Sequence, residues 1–342
     1  MTRPRVFVER FDSSPHSDTT WRAFEWLRAR EVITRGTRVF VKPNLTWKTP
    51  MSGVTTTPEF LAVVLGALVE FGASVAVGES DGGYHSFAAE EAFRSHGLYD
   101  CAKRYGVTVV NLSECPTEGR TVIIAGHPVT VELPSMLLHD VDVFVSLPVP
   151  KMHAMTRVSL GFKNQWGCQP GTMRLTNHPE FARAVLAINQ LVRPRLVLFD
   201  GTYFLDTTGP MIGEPVRMNL LIGSDDAGAG SLACCEIMGI KPERVRHLRL
   251  AQRLGMMPRN LGAVELNRSL APFKTRRFRL KRSPINYIAL AAFHSRLGTR
   301  LFYDSAAADV FHRILYPIRR SRIIARLLYG PTGPPAAEGR RS

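Results

Sequence analysis

The sequence predicts an α/β fold: a mainly parallel sheet flanked by helices, with an inserted β-hairpin and a basic helical C-terminal extension. Short apolar, β-branched runs alternate with longer helical patterns through the first 267 residues, a rhythm typical of βαβ units. Two strand patterns, TVIIAG and PVTVEL, meet at Gly126 and His127 with no helix between them, which indicates the hairpin. Basic residues are concentrated in the segment that follows residue 267. We therefore expect one α/β domain over residues 1–267.

Six apolar runs are the expected strands of the main sheet. The first lies near Arg5, and the others end at Asn44, Ser80, Leu112, Pro148 and Gly201. Segments of helical character over residues 58–72, 87–106 and 179–192 lie between successive runs, as the crossovers of parallel strands require. Residues 225–254 are expected to form two further helices, joined at residues 239–242.

The positive charge of the chain lies in its C-terminal part. The net charge is +15, and residues 268–342 hold 16 basic against 3 acidic residues, whereas the preceding 267 residues hold 28 basic and 26 acidic. Apolar and arginine residues interleave over residues 268–330, which predicts amphipathic helices that either dock on an anionic membrane surface or pack on the body. Nucleic acid is the less favoured partner, since no recognised binding module is present. Residues 331–342 are predicted to be disordered.

Composition also restricts the location and the cofactors. No run approaches the roughly 20 apolar residues of a membrane-spanning helix, and the start of the sequence lacks a secretory signal. We therefore expect a cytoplasmic protein, with peripheral attachment to a membrane as the alternative. The five cysteines form no CxxC pair, so the pattern favours neither a zinc site, an iron–sulfur cluster nor a disulfide framework.

Polar residues directly follow several of the expected strands. In open α/β sheets, ligands bind beyond the carboxyl ends of the strands, so these residues are the candidates for a site. The candidates come in pairs, each pair after one apolar run: Lys42 and Asn44, Glu79 and Asp81, and Lys151 and His153. We expect them to meet at one edge of the sheet.

Residues 148–171 form the densest stretch of polar candidates. Lys163 and Asn164 lie there among glycines, together with Lys151 and His153. Lysine supplies positive charge and glycine lets backbone N–H groups approach a ligand, a combination that suits a carboxylate or a phosphate. The alternative interpretation is a solvated basic loop. The pattern favours the binding of a small anionic molecule.

Each candidate receives a role from its chemistry. His153 is the expected general acid or base, with Lys151 lowering its pKa. The expected substrate-binding residues share side chains that hydrogen-bond an anion: Lys42, Asn44, Lys163 and Asn164. Glu79, Asp81 and His178 are the candidate ligands of a divalent metal. The cofactor is otherwise open, because no dinucleotide fingerprint, phosphate loop, HExxH or GxSxG motif is present.

Taken together, these motifs resemble the domain-of-unknown-function 362 family over roughly residues 39–258. The landmarks that carry the resemblance are KPNL (42–45), TTPEF (56–60), LPVPKMH (147–153), GFKNQWG (161–167), His178 at a helix start, DG (200–201) and GPMIGEP (209–215). The resemblance implies a shared α/β domain and no established reaction. Some members look fused to iron–sulfur ferredoxin modules, and this chain lacks that cysteine pattern. Gly228 and Gly230 stand where the family often has a further acidic residue.

Two functions of different classes are consistent with the sequence. The favoured hypothesis is an enzyme that acts on a small anionic substrate by general acid–base or metal-assisted chemistry, with the reaction type open. The alternative is a membrane-peripheral ligand-binding protein that docks through residues 268–330.

Overall fold

The structure is a computed structural model that describes residues 3–10 and 16–303. It confirms the α/β fold with a mainly parallel sheet and helices on both faces. The basic extension is described as far as residue 303. Its remainder, and the segment 331–342 that was expected to be disordered, lie outside the described residues.

Twelve strands occur in the described part of the chain. They are β1 (Arg5–Arg10), β2 (Arg38–Pro43), β3 (Ser74–Glu79), β4 (Thr108–Asn111), β5 (Thr117–Ile124), β6 (His127–Pro134), β7 (Val143–Leu147), β8 (Lys151–His153), β9 (Arg157–Ser159), β10 (Pro194–Asp206), β11 (Glu214–Ser224) and β12 (Glu265–Leu266). The main sheet has the order β12-β1-β11-β10-β7-β2-β3-β4. The run from β10 to β4 is parallel throughout, whereas β11 is antiparallel to both of its neighbours.

Twelve α-helices accompany these strands within residues 3–10 and 16–303. They are α1 (His16–Trp26), α2 (Ala29–Val32), α3 (Pro58–Glu70), α4 (Ala89–Ser95), α5 (Leu98–Tyr105), α6 (Ser135–His139), α7 (Gly161–Asn164), α8 (Phe181–Leu191), α9 (Ala227–Met238), α10 (Arg246–Arg253), α11 (Pro284–His294) and α12 (Arg296–Tyr303). A further 3₁₀ segment, Thr172–Glu180, precedes α8. The helix expected over residues 87–106 is divided in two, because Gly97 adopts a left-handed φ of 70° between α4 and α5.

The sheet separates two hydrophobic cores, and side chains alternate between them along each strand. On β2, Val39 and Val41 pack into the core beneath α1 and α3, whereas Phe40 belongs to the core beneath α8 and α9. On β7, Val145 belongs to the core beneath α1 and α3, and Phe144 belongs to the core beneath α8 and α9. By this alternation Lys42 follows Phe40 onto the α8 face, which is where the polar site forms.

The predicted hairpin is confirmed and consists of β5 and β6. These strands pair with each other in a separate two-stranded sheet. Val129, Val131 and Leu133 of β6 join the core that contains α8. The hairpin therefore covers one end of the α8 layer.

The described part of the basic extension packs against the body. Its ion pairs join Arg268 to Glu9, Lys274 to Glu236, Arg276 to Asp206 and Glu214, and Arg296 to Glu180. Phe278 is 1% exposed and lies 5.7 Å from Phe204, ring centroid to ring centroid. Leu270, Phe273 and Phe293 belong to the core beneath α8 and α9. The hydrophobic core thus continues beyond residue 267, and four of the nine basic residues of 268–303 pair with carboxylates of the same chain.

Candidate functional site

A buried ion pair between Lys42 and Glu79 joins the carboxyl ends of β2 and β3. The Lys42 ammonium donates to a carboxylate oxygen of Glu79, and also to the carbonyl of Pro43 at 2.9 Å. The same carboxylate accepts the backbone N–H groups of Leu45 at 3.3 Å and Ser80 at 3.0 Å. Side-chain exposure is 1% for Lys42 and 7% for Glu79, so each charge depends on the other for compensation. A predicted substrate ligand and a predicted metal ligand are thus partners of each other.

The loop after α7 closes over this ion pair at Gly167. A Cβ atom at this position would lie 2.5 Å from Glu79 Oε1 and 3.0 Å from Lys42 Nζ, so a residue with a side chain would force these groups apart. The Ser80 hydroxyl donates to the Gly167 carbonyl at 2.7 Å. The GFKNQWG motif therefore supplies the cover of the ion pair.

Asn164 is held in a buried hydrogen-bond network beneath the same loop. Its amide nitrogen donates to the Lys42 carbonyl at 3.0 Å and to the Ser146 hydroxyl at 2.9 Å. The Ser146 hydroxyl donates to Gln165 at 3.3 Å, and the Gln165 amide donates to Asn189 at 3.1 Å. Since both N–H groups of the Asn164 amide are used within the protein, its role is to position the loop rather than to donate to a substrate.

Asn44 lies where β2, β7 and the loop before α3 meet. Its backbone N–H donates to the Thr56 hydroxyl at 2.8 Å, and that hydroxyl donates to the Leu147 carbonyl at 2.8 Å. The Asp200 carboxylate accepts the N–H of Thr57 at 2.7 Å, which ties β10 to the same loop. Asn44 is 6% exposed, and its side-chain amide forms no hydrogen bond to any residue that the structure describes. This amide remains able to bind a ligand.

Lys151, on β8, is a buried amine that forms no ion pair with the described residues. It is 1% exposed, and its ammonium donates to the Val54 carbonyl. Burial, followed by the charges of Lys163 and Lys42, lowers the pKa of Lys151 well below its usual range, and Glu79 acts weakly in the opposite direction. An anion close to this amine would favour its charged form.

His153 is held on β8 in a defined tautomer. Its Nδ1 atom accepts the backbone N–H groups of Met155 at 3.1 Å and Thr156 at 3.4 Å, so the proton of the neutral ring is assigned to Nε2. Burial, followed by the charges of Lys163 and Lys151, keeps the pKa of His153 well below 6.5. The Nε2–H group has no hydrogen-bond partner in the described chain, and it can donate to a ligand.

The GPMIGEP motif supports the strand that carries Lys151 and His153. Gly209 has a left-handed φ of 48°, and a Cβ atom there would lie 1.7 Å from the Met152 carbonyl oxygen. The Gly209 carbonyl accepts the N–H of Ala154 at 3.3 Å. Glycine is therefore required for this loop to lie directly against β8.

Lys163 adjoins Asn164 in α7 but makes different contacts. Its side chain is half-buried, and Nζ lies 5.8 Å from the centroid of the Phe181 ring. The ammonium has neither a hydrogen bond nor an ion pair with any described residue. Burial lowers the pKa of Lys163 to about 7. Its charge in turn lowers the pKa of four neighbouring bases: Lys151, His153, His178 and His247.

Aromatic rings enclose the Phe181 side of Lys163. The ring of Phe181 lies 4.8 Å from that of Trp166 and 6.0 Å from that of Phe293. The His178 ring lies 4.3 Å from that of Phe293 at an interplanar angle of 30°, and His247 meets Phe181 edge-on at 5.8 Å. Burial lowers the pKa of both histidines to about 3, so they are neutral at physiological pH. Because Phe293 belongs to α11, the C-terminal extension supplies one wall of the site.

The predicted metal ligands are not grouped around a common point. Glu79 pairs with Lys42, Asp81 accepts the N–H of Ala89 at 2.7 Å, and His178 packs among the rings. Within residues 3–10 and 16–303, no three His, Cys, Asp or Glu side chains are placed to hold a metal ion. The described residues thus provide no support for the metal hypothesis.

Several residues of the site did not emerge from the sequence: Ser146, Arg174, Gln165, Asn189 and His247. Gln165 stands inside the GFKNQWG motif, which was a usable signal, but the others are isolated in the chain. Arg174 donates to three carbonyls, those of Asp81 at 2.7 Å, Gly171 at 3.0 Å and Gln169 at 3.3 Å. Arg174 is therefore a further cation of the site, and burial lowers its pKa.

A cavity of about 470 Å³ lies near the polar site but does not include it. Its walls include Phe162, Asn189, Arg193, Asp226 and Met256. Asn189 forms part of the wall and also ends the hydrogen-bond network that starts at Asn164. None of the predicted site residues lines this cavity, so the predicted site and the cavity lie at different places in the fold.

Fold and site together define an α/β protein with a cluster of buried amines and imidazoles at the carboxyl ends of its parallel strands. The chain belongs to the domain of unknown function DUF362 family, whose model matches residues 39–236. This match confirms the resemblance that the sequence motifs indicated. The matched residues run without a break from the second residue of β2 to Glu236 in α9, and they contain every predicted site residue.

Two individual proteins are also similar to the chain. The thylakoid-associated protein sll1697 from Synechocystis sp. (strain ATCC 27184 / PCC 6803 / Kazusa) is 27% identical over 235 residues, which cover 66% of this chain and 70% of that protein. A crystal structure of a protein from Thermotoga maritima aligns with a TM-score of 0.33 at 14% identity. The alignment covers 52% of this chain and half of the Thermotoga maritima protein. A similarity at this level carries no information on function. Among the described residues, no helix is long and apolar enough to cross a bilayer.

Proposed function

We propose that the protein is an enzyme that acts on a small molecule with a carboxylate or phosphate group, and that this group binds at Lys163. The observation that carries the proposal is the state of Lys163, an amine without a hydrogen bond or ion pair in the described chain. The charge of Lys163 acts on a second amine, Lys151, which donates to the Val54 carbonyl but has no counter-charge among the described residues. A buried cation without a counter-charge is unfavourable. A bound anion would remove this imbalance.

The surrounding donors support the same proposal. The Nε2–H group of His153 and the amide of Asn44 are each without a hydrogen-bond partner in the described chain. Both can donate to an oxygen atom of a substrate. His153 would then act as a neutral hydrogen-bond donor toward developing negative charge, since its Nδ1 lone pair is already engaged by two backbone N–H groups. Lys42 and Asn164 contribute by holding the loop in place.

Removal of the Lys163 charge tests the anion site. We expect Lys163→Met to weaken the binding of phosphate or L-lactate by about 10- to 100-fold, because a hydrogen bond to a charged group contributes on the order of 1.5–3 kcal/mol. Isothermal calorimetry at pH 6.5 would measure the affinity. Lys103→Met is the matched control, since Lys103 is exposed and forms no ion pair in the described chain, and it should bind as the wild type does. Equal affinity of all three proteins would contradict the proposal.

Attachment to a membrane surface is a second candidate function. It is favoured by the similarity to a protein whose name describes it as thylakoid-associated. In addition, Tyr287 and Leu297 on α11 and α12 are 60% and 71% exposed. Residues 310–330 contain five arginines and no acidic residue. We propose that this arginine-rich segment supplies the charge that attracts anionic lipid, since four of the cations in residues 268–303 already pair with carboxylates of the body.

A vesicle assay on the full chain tests this second candidate. We expect Arg319, Arg320, Arg322 and Arg326, all changed to Gln, to lower binding to vesicles of phosphatidylcholine and phosphatidylglycerol at least 100-fold, because each arginine contributes on the order of 1 kcal/mol near an anionic surface. The control changes four exposed body cations to Gln instead: Arg35, Arg94, Lys103 and Arg195. Equal loss in the two variants would indicate general charge attraction, and no binding by the wild type would remove the candidate.

A further inference from the structure

Lys163 has the surroundings of a nucleophilic amine. Its Nζ is free of hydrogen bonds and ion pairs with the described residues, which distinguishes it from Lys42 and Lys151. It is half-buried and therefore reachable from solvent, and the Phe181 ring lies beside it. An amine must be neutral to attack carbon, and burial beside apolar groups favours the neutral form.

We propose that Lys163 forms a Schiff base with a carbonyl compound whose acidic group lies close to the carbonyl carbon, such as a 2-oxo acid. This inference rests on the proposed function, because the acidic group uses the same anion site. It names the substrate class and gives Lys163 a covalent role.

The chemistry requires no group beyond the amine, the substrate and solvent. The Lys163 nitrogen forms a bond to the carbonyl carbon while the π electron pair moves to oxygen. That oxygen takes one proton from the new ammonium and a second from solvent, and it leaves as water. The product is a protonated imine, whose positive charge stands where the lysine ammonium stood. The substrate carboxylate therefore has a counter-charge beside it once the imine has formed.

Neighbouring groups suit this step. The Nε2–H group of His153 can donate to the carbonyl oxygen as negative charge develops on it. The rings of Phe181, Trp166 and Phe293 form an apolar wall, which limits hydrolysis of the imine by water. The pKa of Lys163, lowered to about 7 by burial, leaves most of the amine neutral at pH 7.5, whereas an ordinary lysine is neutral to about 0.1%.

Reductive trapping tests the proposal. The full chain is incubated with saturating pyruvate and sodium borohydride at pH 7.5, and the modified lysine is identified by peptide mass spectrometry among the eight lysines of the chain. We expect one reduced pyruvate adduct, on Lys163, at least 10-fold above any other lysine. Lys163→Arg keeps the cation but has no amine that forms an imine, so it should lose the adduct while still binding L-lactate.

The outcomes separate this inference from the proposed function. An adduct spread over exposed lysines, or no adduct in a protein that binds L-lactate, would overturn the Schiff base and leave the anion site standing. A wild-type protein that neither binds L-lactate nor is trapped would overturn both. Circular dichroism of Lys163→Arg, with Lys163→Met as a second variant, verifies that loss of the adduct does not reflect unfolding.

Discussion

Glu79→Gln should destabilise the protein by about 3–5 kcal/mol. The substitution leaves the Lys42 ammonium buried at 1% exposure without its counter-charge, and a broken buried ion pair costs about this much. It also weakens the acceptor of the Leu45 and Ser80 N–H groups. Urea unfolding followed by circular dichroism would measure the change in the free energy of unfolding.

The matched control is Glu31→Gln. Glu31 pairs with Arg28 at 3.5 Å on the surface, where the two side chains are 64% and 57% exposed. An exposed pair contributes about 0–1 kcal/mol, so the same chemical change should have little effect there. A Glu79→Gln variant that loses no more stability than Glu31→Gln would show that Lys42 does not depend on this carboxylate.

The positions of the site residues along the chain were predictable, whereas their partners were not. Lys42, Glu79 and Lys151 were found because they follow apolar runs of the sequence, and the structure places Lys42 and Glu79 in the last residues of β2 and β3 and Lys151 at the start of β8. That Lys42 pairs with Glu79 depends on the adjacency of β2 and β3 and on the close approach of Gly167. These are contacts across more than 30 residues of chain, and no local pattern encodes them.

The sequence also did not distinguish the roles of two adjacent residues in one helical turn. Lys163 and Asn164 are adjacent in the GFKNQWG motif, and the sequence assigned both to the substrate. In the structure Asn164 is held by Lys42 and Ser146, and Lys163 lies over Phe181. Helical geometry turns consecutive side chains in different directions, so a motif alone cannot tell which of them meets the ligand.

Charge in the extension was equally ambiguous. Interleaved arginine and apolar residues are compatible both with lipid docking and with packing on the body. The carboxylates that pair with four of the cations in residues 268–303 are dispersed from Glu9 to Glu236, so only the folded chain shows that these four are compensated. The remaining arginines, beyond residue 303, are the ones on which the membrane proposal depends.

Sulfate affinity should depend on pH through Lys163. Below about pH 6 this lysine is already charged and the affinity should be constant. Above its pKa of about 7 the Lys163 amine loses its proton, so the affinity for sulfate should fall about tenfold per pH unit. The decline should end where the pH reaches the pKa of Lys163 in the complex, which is higher because bound sulfate favours the charged amine. Sulfate keeps the same charge over this range. Calorimetric titrations from pH 6 to 9 would give the profile.

Two variants assign this pH dependence to one side chain. Lys163→Arg should bind sulfate at every pH with the affinity that the wild type shows below pH 6, because the guanidinium group stays charged. Lys163→Met should bind weakly with a nearly flat profile. His153, His178 and His247 also face this site, but they remain neutral over the whole range because their pKa values are lowered by burial. A decline that persists in Lys163→Arg would instead assign the titrating amine to Lys151, whose pKa is also lowered, and would move the anion site to β8.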